Sequence, residues 1–337
     1  MSRSAAIIGA GQIAREAAFS LAFQNFSRVR VLARTRPSWM SPDDEEGTEG
    51  DGIHFERYVV GDDPAPSADV VLDTIAFDEA DTARYEPDRV GRLIVISSAS
   101  VYADNQGRTL DEAQQNGWPE FAEPISENQP TVPPGPATYS TRKVRMEHMA
   151  LQKFGDRATI LRPGAIHGKY SRHPREWWFV KRMIDRRAKI PLIFNAQSQF
   201  QTSSTTDLTY FAARCADKDV GGIFNVGDSD HLSVIQIGEI IARSFDYEPE
   251  FIPIEGAGMI GRTPWSVGKP FLISSAKIGS TLGYRMDGFH YGGEAPRAVE
   301  WLAELNPPDW RAAFPQLAAY PWDLFDYEAE DRFLASL

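Results

Sequence analysis

The sequence predicts an α/β protein built on a parallel sheet. Short apolar runs alternate with amphipathic helical stretches through the first 165 residues, as consecutive β-α units require. A glycine-rich turn joins strand to helix at the extreme N-terminus. The composition is that of an ordinary globular chain: of 337 residues, 42% are hydrophobic and 24% charged, enough to bury a full core.

Composition also removes several classes of function. A formal net charge of −12 would repel phosphates spread over a broad surface, so no nucleic-acid partner is expected, although a local phosphate pocket is compatible. Cys215 is the only cysteine, which rules out an intramolecular disulfide and lends no support to an oxidising compartment. No stretch approaches the roughly 20 apolar residues of a membrane span. The chain enters a strand almost at once, so no signal peptide fits, and a cytoplasmic location without membrane contact is the expectation. The six histidines stand apart from cysteines and acids at metal-ligand spacing, so no metal is expected.

In chain order, strands are expected near 4–8, 28–33, 53–60, 69–75, 92–97 and 157–162, with helices near 12–24 and 139–154. The acidic, turn-rich stretch 37–52 reads as a mobile surface loop, and the proline-rich stretch 116–136 as an irregular lid across the sheet's end. A strand at 222–226 and a helix at 234–244 follow, and 323–331 reads as a docked helix.

Gly9-Ala-Gly11-Gln12-Ile13-Ala14 follows the first strand and opens a helix. Glycines there permit a tight turn and let backbone approach a pyrophosphate, which then meets the helix N-terminus. The second strand ends with Arg34 and Arg36 where an NAD site would present an acid to the ribose. An arginine fork suits a 2′-phosphate, so NADP is preferred over NAD. The alternative is that both arginines neutralise the acidic loop after them. Asp62 is placed to accept from the adenine amine, and Thr74 to Ala76 to line the nucleotide's floor.

The strand near 92–97 runs into Ser97-Ser98-Ala99-Ser100-Val101-Tyr102, and Tyr139 and Lys143 stand four apart at an expected helix start. Four residues is about one turn, so phenol and ammonium share a face. The positive charge should favour the phenolate and lower the phenol from its usual value of about 10. A hydroxyl from the serine run could hold a substrate oxygen. Alone the Tyr/Lys spacing says little; its place after a glycine turn and a serine-ended strand gives it weight.

Together these segments, with Leu161-Arg162-Pro163-Gly164-Ala165-Ile166-His167-Gly168, resemble the extended branch of the short-chain dehydrogenase/reductases, the NAD-dependent epimerase/dehydratase family. The resemblance spans Ile7 to about Tyr284. It implies a doubly wound parallel sheet (a Rossmann fold) with a smaller, interleaved substrate domain: 1–165 with a return near 200–228 for the dinucleotide, 166–199 and 229–337 for the substrate. It makes Ser98 the catalytic hydroxyl, with Ser100 the near competitor on the same side of the strand. Tyr139 becomes the general acid/base, and Lys143 holds the nicotinamide ribose. Pro163 and Gly164 would contact the nicotinamide, and a homodimer would form through the Tyr139 helix. Ser100, Tyr102, His167 and Trp178 are substrate-side candidates, Trp178 with core packing as the stronger alternative. Two positions depart from nucleotide-sugar epimerases, which present Asn where Ala165 stands and Arg where Phe200 stands. The expected function is an NAD(P)-dependent oxidoreductase interconverting a carbonyl and a secondary alcohol on a small molecule. The alternative is an epimerase or dehydratase holding its nucleotide tightly on a sugar substrate.

Overall fold

The computed structural model describes residues 3–40, 52–122, 124–256 and 258–337. Most of the expected acidic loop at 37–52 lies outside them. Seven strands form one sheet: β1 Arg3–Ile8, β2 Phe26–Ala33, β3 Gly52–Arg57, β4 Ala68–Asp73, β5 Val90–Ile96, β6 Ala158–Pro163 and β7 Gly222–Val226. Their order is β7-β6-β5-β4-β1-β2-β3, and every pairing is parallel. The order in which strands are added reverses between β1 and β4, and a crevice at the strands' carboxyl ends there is where such a sheet binds ligands.

Alternation along the strands explains why both faces are covered. Ala5 and Ile7 face α1 (Gln12–Phe23), whereas Ala6 and Ile8 face α2 (Tyr139–Phe154). On the first face Ala14, Ala17, Ala18 and Leu21 of α1 pack with Leu208, Phe211 and Cys215. The small alanines let helix approach sheet closely. On the second face Met146, Ala150 and Phe154 of α2 close the core.

A separate core gathers around α3 (Trp177–Ile184), α4 (Val234–Arg243) and α5 (Tyr291–Leu305). Trp177, Trp178 and Phe179 are buried there, with the Arg182 guanidinium 3.5 Å from the Trp178 ring centroid. The acidic C-terminus docks as a helix, Tyr327–Leu334, through an ion pair between Glu330 and Arg182. Ile278 and Leu282, which the sequence assigns to the second domain, pack instead into the first core. No described helix is long and apolar enough to cross a membrane.

Candidate active site

The glycine turn shows why its residues are small. Gly9 has φ +110°, and a Cβ on it would lie 2.4 Å from the Thr74 hydroxyl, so only glycine lets β1 and β4 approach here. Gly11 differs: a Cβ there would meet nothing within 4 Å. It caps α1 with no side-chain hydrogen bond and no acid in the first turn, leaving helix N–H groups and the positive end of the dipole for a ligand. A cavity of about 590 Å³ opens over them, lined among others by Gly9, Gly11, Gln12, Ile13, Arg34 and Thr74.

Four expected nucleotide residues lie outside the cavity linings, the buried Lys143 among them. Arg36 places its guanidinium 5.4 Å from the Phe55 ring centroid, outside the lining, so of the two strand-end arginines Arg34 lines the cavity, together with Arg172 from much later in the chain. Asp62 is exposed beyond the wall, which Tyr58, Val59 and Val60 make instead, because the chain leaves the sheet after Arg57. Ala76 is buried, and its carbonyl serves the lysine rather than the cavity.

That lysine is held by a chain of causes starting at β4. The buried Asp73 carboxylate accepts from Ile75 N (2.9 Å), Ala76 N (2.8 Å) and the Tyr85 hydroxyl (2.6 Å), which pins the turn. The turn then presents the Ala76 carbonyl to Lys143 Nζ at 2.7 Å, while Ile96 at the end of β5 supplies a second carbonyl at 2.9 Å. An ammonium has three donors, so one remains. Burial lowers Lys143 to about 8, opposed by the charges of Asp73, Glu147 and Asp81.

Tyr139 is the first residue of α2, whose N-terminus is closed by a Thr138/Thr141 capping box and by Asp111 accepting from Ser140 N at 2.8 Å. Its side chain is 45% exposed and stacks at 5.5 Å on Phe77. The expected depression of the phenol is not found. Desolvation holds it above its ordinary range; the hydrogen bond with Ser98 and the charge of Arg175 draw it down, while Asp111 pushes it up. Lys143 holds its Nζ 5.8 Å from the ring centroid and donates to the two carbonyls, while burial of the phenol outweighs what draws it down.

The serine run sorts by direction. Ser97 donates into the buried Glu147–Arg162 pair, and Ser98 faces the cleft. The expectation that Ser98 and Ser100 share a strand face is corrected: β5 ends at Ile96, and Ser98 caps a 3₁₀ turn, Ala99–Val101. Its hydroxyl accepts from Ser100 N (3.2 Å) and donates to Ser100 Oγ (3.0 Å), and both side chains line the cleft.

Ser98, Ser100, Tyr139, Pro163 and Gly164 all line a second cavity of about 700 Å³. Gln12, His173 and Gln316 border both cavities, which are therefore two ends of one cleft. Gly164 is required where it stands, since a Cβ would lie 2.2 Å from the Gln201 carbonyl.

Three substrate-side expectations fail. Tyr102 is fully buried and donates to Asn225 Oδ1 at 2.6 Å. His167 is buried with Nε2 2.9 Å from Asp228. Trp178 is core of the second domain. Sequence reasoning missed Asp111, Trp118, Arg175, Gln316 and Tyr320, which line the second cavity from loops and the C-terminal region. Arg175 lies in a run whose aromatics drew the attention; Tyr320, 147 residues beyond the His173 it contacts at 3.1 Å, offered no signal.

Sheet order, glycine turn and Tyr/Lys helix together define the fold of the extended short-chain dehydrogenase/reductases. Among solved structures it is similar to the dTDP-glucose 4,6-dehydratase of Bacillus anthracis in complex with NAD, at 13% identity over 93% of this chain and 100% of that one, TM-score 0.64. A dTDP-glucose 4,6-dehydratase from Streptomyces venezuelae with NAD bound is similar at 18% identity over 93% and 99%, TM-score 0.64. The UDP-N-acetylglucosamine 4-epimerase of Bacillus cereus is similar at 16% over 90% and 96%, TM-score 0.62. At these identities the likeness is one of fold. No protein-family model matches the chain, and no curated protein matches it in sequence.

Proposed function

We propose that the chain is an NADP(H)-dependent oxidoreductase that interconverts a carbonyl and a secondary alcohol on a small molecule. The observation that carries this reading is the single cleft. A glycine-turn cavity suited to a dinucleotide runs into one where Tyr139 and Ser98 lie side by side. When bound, the nicotinamide would supply or accept the hydride. Tyr139, a protonated phenol at neutral pH, gives its proton to the carbonyl oxygen in reduction. In the reverse direction the phenolate, formed once its own proton has gone to solvent at higher pH, takes the proton from the alcohol. The Ser98 hydroxyl, held by Ser100, positions that oxygen, and the third donor of Lys143 is the one left for a ribose hydroxyl.

NADP is favoured over NAD by Arg34, exposed in the lining at the end of β2. Equilibrium titration with both nucleotides tests this. Arg34→Ala is expected to weaken NADP by about tenfold and leave NAD unchanged; tighter NAD, indifferent to Arg34, overturns it.

The epimerase or dehydratase reading is favoured by the names of the similar structures. It predicts turnover without net change in NADPH absorbance, whereas the oxidoreductase consumes or makes one nucleotide per product. Against its sugar-diphosphate form, Ala165 is buried and Phe200 gives the cleft an apolar wall. A homodimer through the outer face of α2 completes the proposal, with sedimentation equilibrium as its check.

A further inference from the structure

The second cavity holds one cation. Arg175 is the only lysine or arginine among the residues that line it, and Asp111 the only acid. Asp111 is engaged at the start of α2 by Ser140 N and makes no ion pair with Arg175 among the described residues. Arg175 itself lies with its guanidinium 5.8 Å from the Phe200 ring centroid, and its Nε is buried without a hydrogen-bond partner. Glu176, next in the chain, is turned away to the Tyr291 hydroxyl at 3.3 Å. A half-buried guanidinium on an aromatic face, lacking an acid of its own, is costly unless something in the cleft pairs with it. Arg175 and Tyr139 line the same cavity, so the group it would hold shares that cavity with the proposed reacting oxygen.

We propose that Arg175 anchors a carboxylate of the substrate, so that the cleft takes a hydroxy or oxo acid with an apolar or aromatic body. The hydroxy or oxo part rests on the oxidoreductase reading above; the carboxylate part rests on the arginine. A guanidinium presents two parallel N–H donors, which match a carboxylate's two oxygens. Trp118, Phe200 and Val267 supply apolar walls beside it. A diphosphate fits less well, since it brings more negative charge to a lining that offers one cation and also contains Asp111. His173 adds no second cation: burial and the neighbouring Arg175 hold it down at about 3.

The test uses binding alone. Phenylacetate, phenyllactate and 4-methylpentanoate, each beside its neutral amide, are titrated by calorimetry into the NADP⁺-saturated protein. At least one acid is expected to bind about tenfold or more tightly than its amide. Arg175→Gln should abolish that difference and Arg175→Lys retain part of it, with NADP⁺ affinity unchanged in both. Acids that bind no better than amides, or a preference that survives Arg175→Gln, overturn the assignment. If NADP⁺ binds and no acid is preferred, the anchor fails and the nucleotide cleft stands. If neither NADP⁺ nor NAD⁺ binds, the reading of the cleft fails, and with it the hydroxy or oxo part of the proposal.

Discussion

Tyr139→Phe removes the oxygen on which proton transfer rests and leaves the ring against Phe77. Turnover on any accepted substrate is expected to fall by about 10²–10⁴-fold, with nucleotide affinity unchanged. Steady-state kinetics beside nucleotide titration would show it; an intact rate would take Tyr139 out of the mechanism. Lys143 gives a pH signature. Its amine, lowered to about 8, is charged below that pH and neutral above it. Nucleotide affinity that uses the charge is therefore highest below pH 8 and weakens as pH rises through that value, and Lys143→Met should flatten the profile. Fluorescence titrations across the range would reveal a flat wild-type curve if the ammonium does not hold the ribose. At this scale the sequence was legible where spacing carries the chemistry and illegible where volume does. Spacing pointed to Tyr139 and Lys143 and the family resemblance to Ser98, and the structure sets Ser98 and Tyr139 in the lining of one cavity. Tyr102 and Trp178 stand next to motifs, yet the free energy of burying large rings draws them into the core. The direction of the Tyr139 shift was misread because the sequence shows that Lys143 is near but not how strongly the folded surroundings desolvate the phenol.

The elements make a sharper claim about two glycines one residue apart. Gly9→Ala forces a side chain onto φ +110° and against the Thr74 hydroxyl, so it should destabilise the fold by about 1–3 kcal/mol. Gly11→Ala meets no protein atom and has an ordinary φ of −80°, so thermal stability should hold while nucleotide affinity falls. Melting curves with and without NADP⁺ separate the two; equal behaviour of both variants would deny Gly11 its place under a ligand. Strand and helix positions were readable because both faces of the sheet are buried and the periodicity is clean. Among the exceptions, the helices Thr205–Asp217 and Tyr291–Leu305 were not anticipated, and β3, expected to run to 60, ends at Arg57. Tyr58 to Val60 leave the sheet to wall the cavity, and an apolar run looks the same whether it pairs with a strand or borders a ligand site. The described residues of 117–136 are irregular, as expected, and Trp118 reaches from among them into the lining of the second cavity.

Over the whole molecule, the candidate cleft lies in the seam between two cores. The sheet end supplies the glycine turn, Ser98 and Tyr139, while the second domain and the C-terminal region supply His173, Arg175, Gln316 and Tyr320. The sheet's share was legible because its residues lie close together in sequence and obey strand and helix periods. The other share comes from loops that meet only after folding, such as His173 and Tyr320, and no local pattern announces them. Because Gln12, His173 and Gln316 border both cavities, a bound nucleotide should brace the two halves against each other. Saturating NADP⁺ at about 100 times its Kd is then expected to add about 2.7 kcal/mol of stability. The most direct measurement is a crystal structure of the NADP⁺ complex. The nicotinamide is expected where the two cavities join, against the Tyr139 phenol and the Ser98 hydroxyl, with the 2′-phosphate at Arg34. A nicotinamide ring lying away from that phenol, or a nucleotide bound elsewhere, would contradict the account.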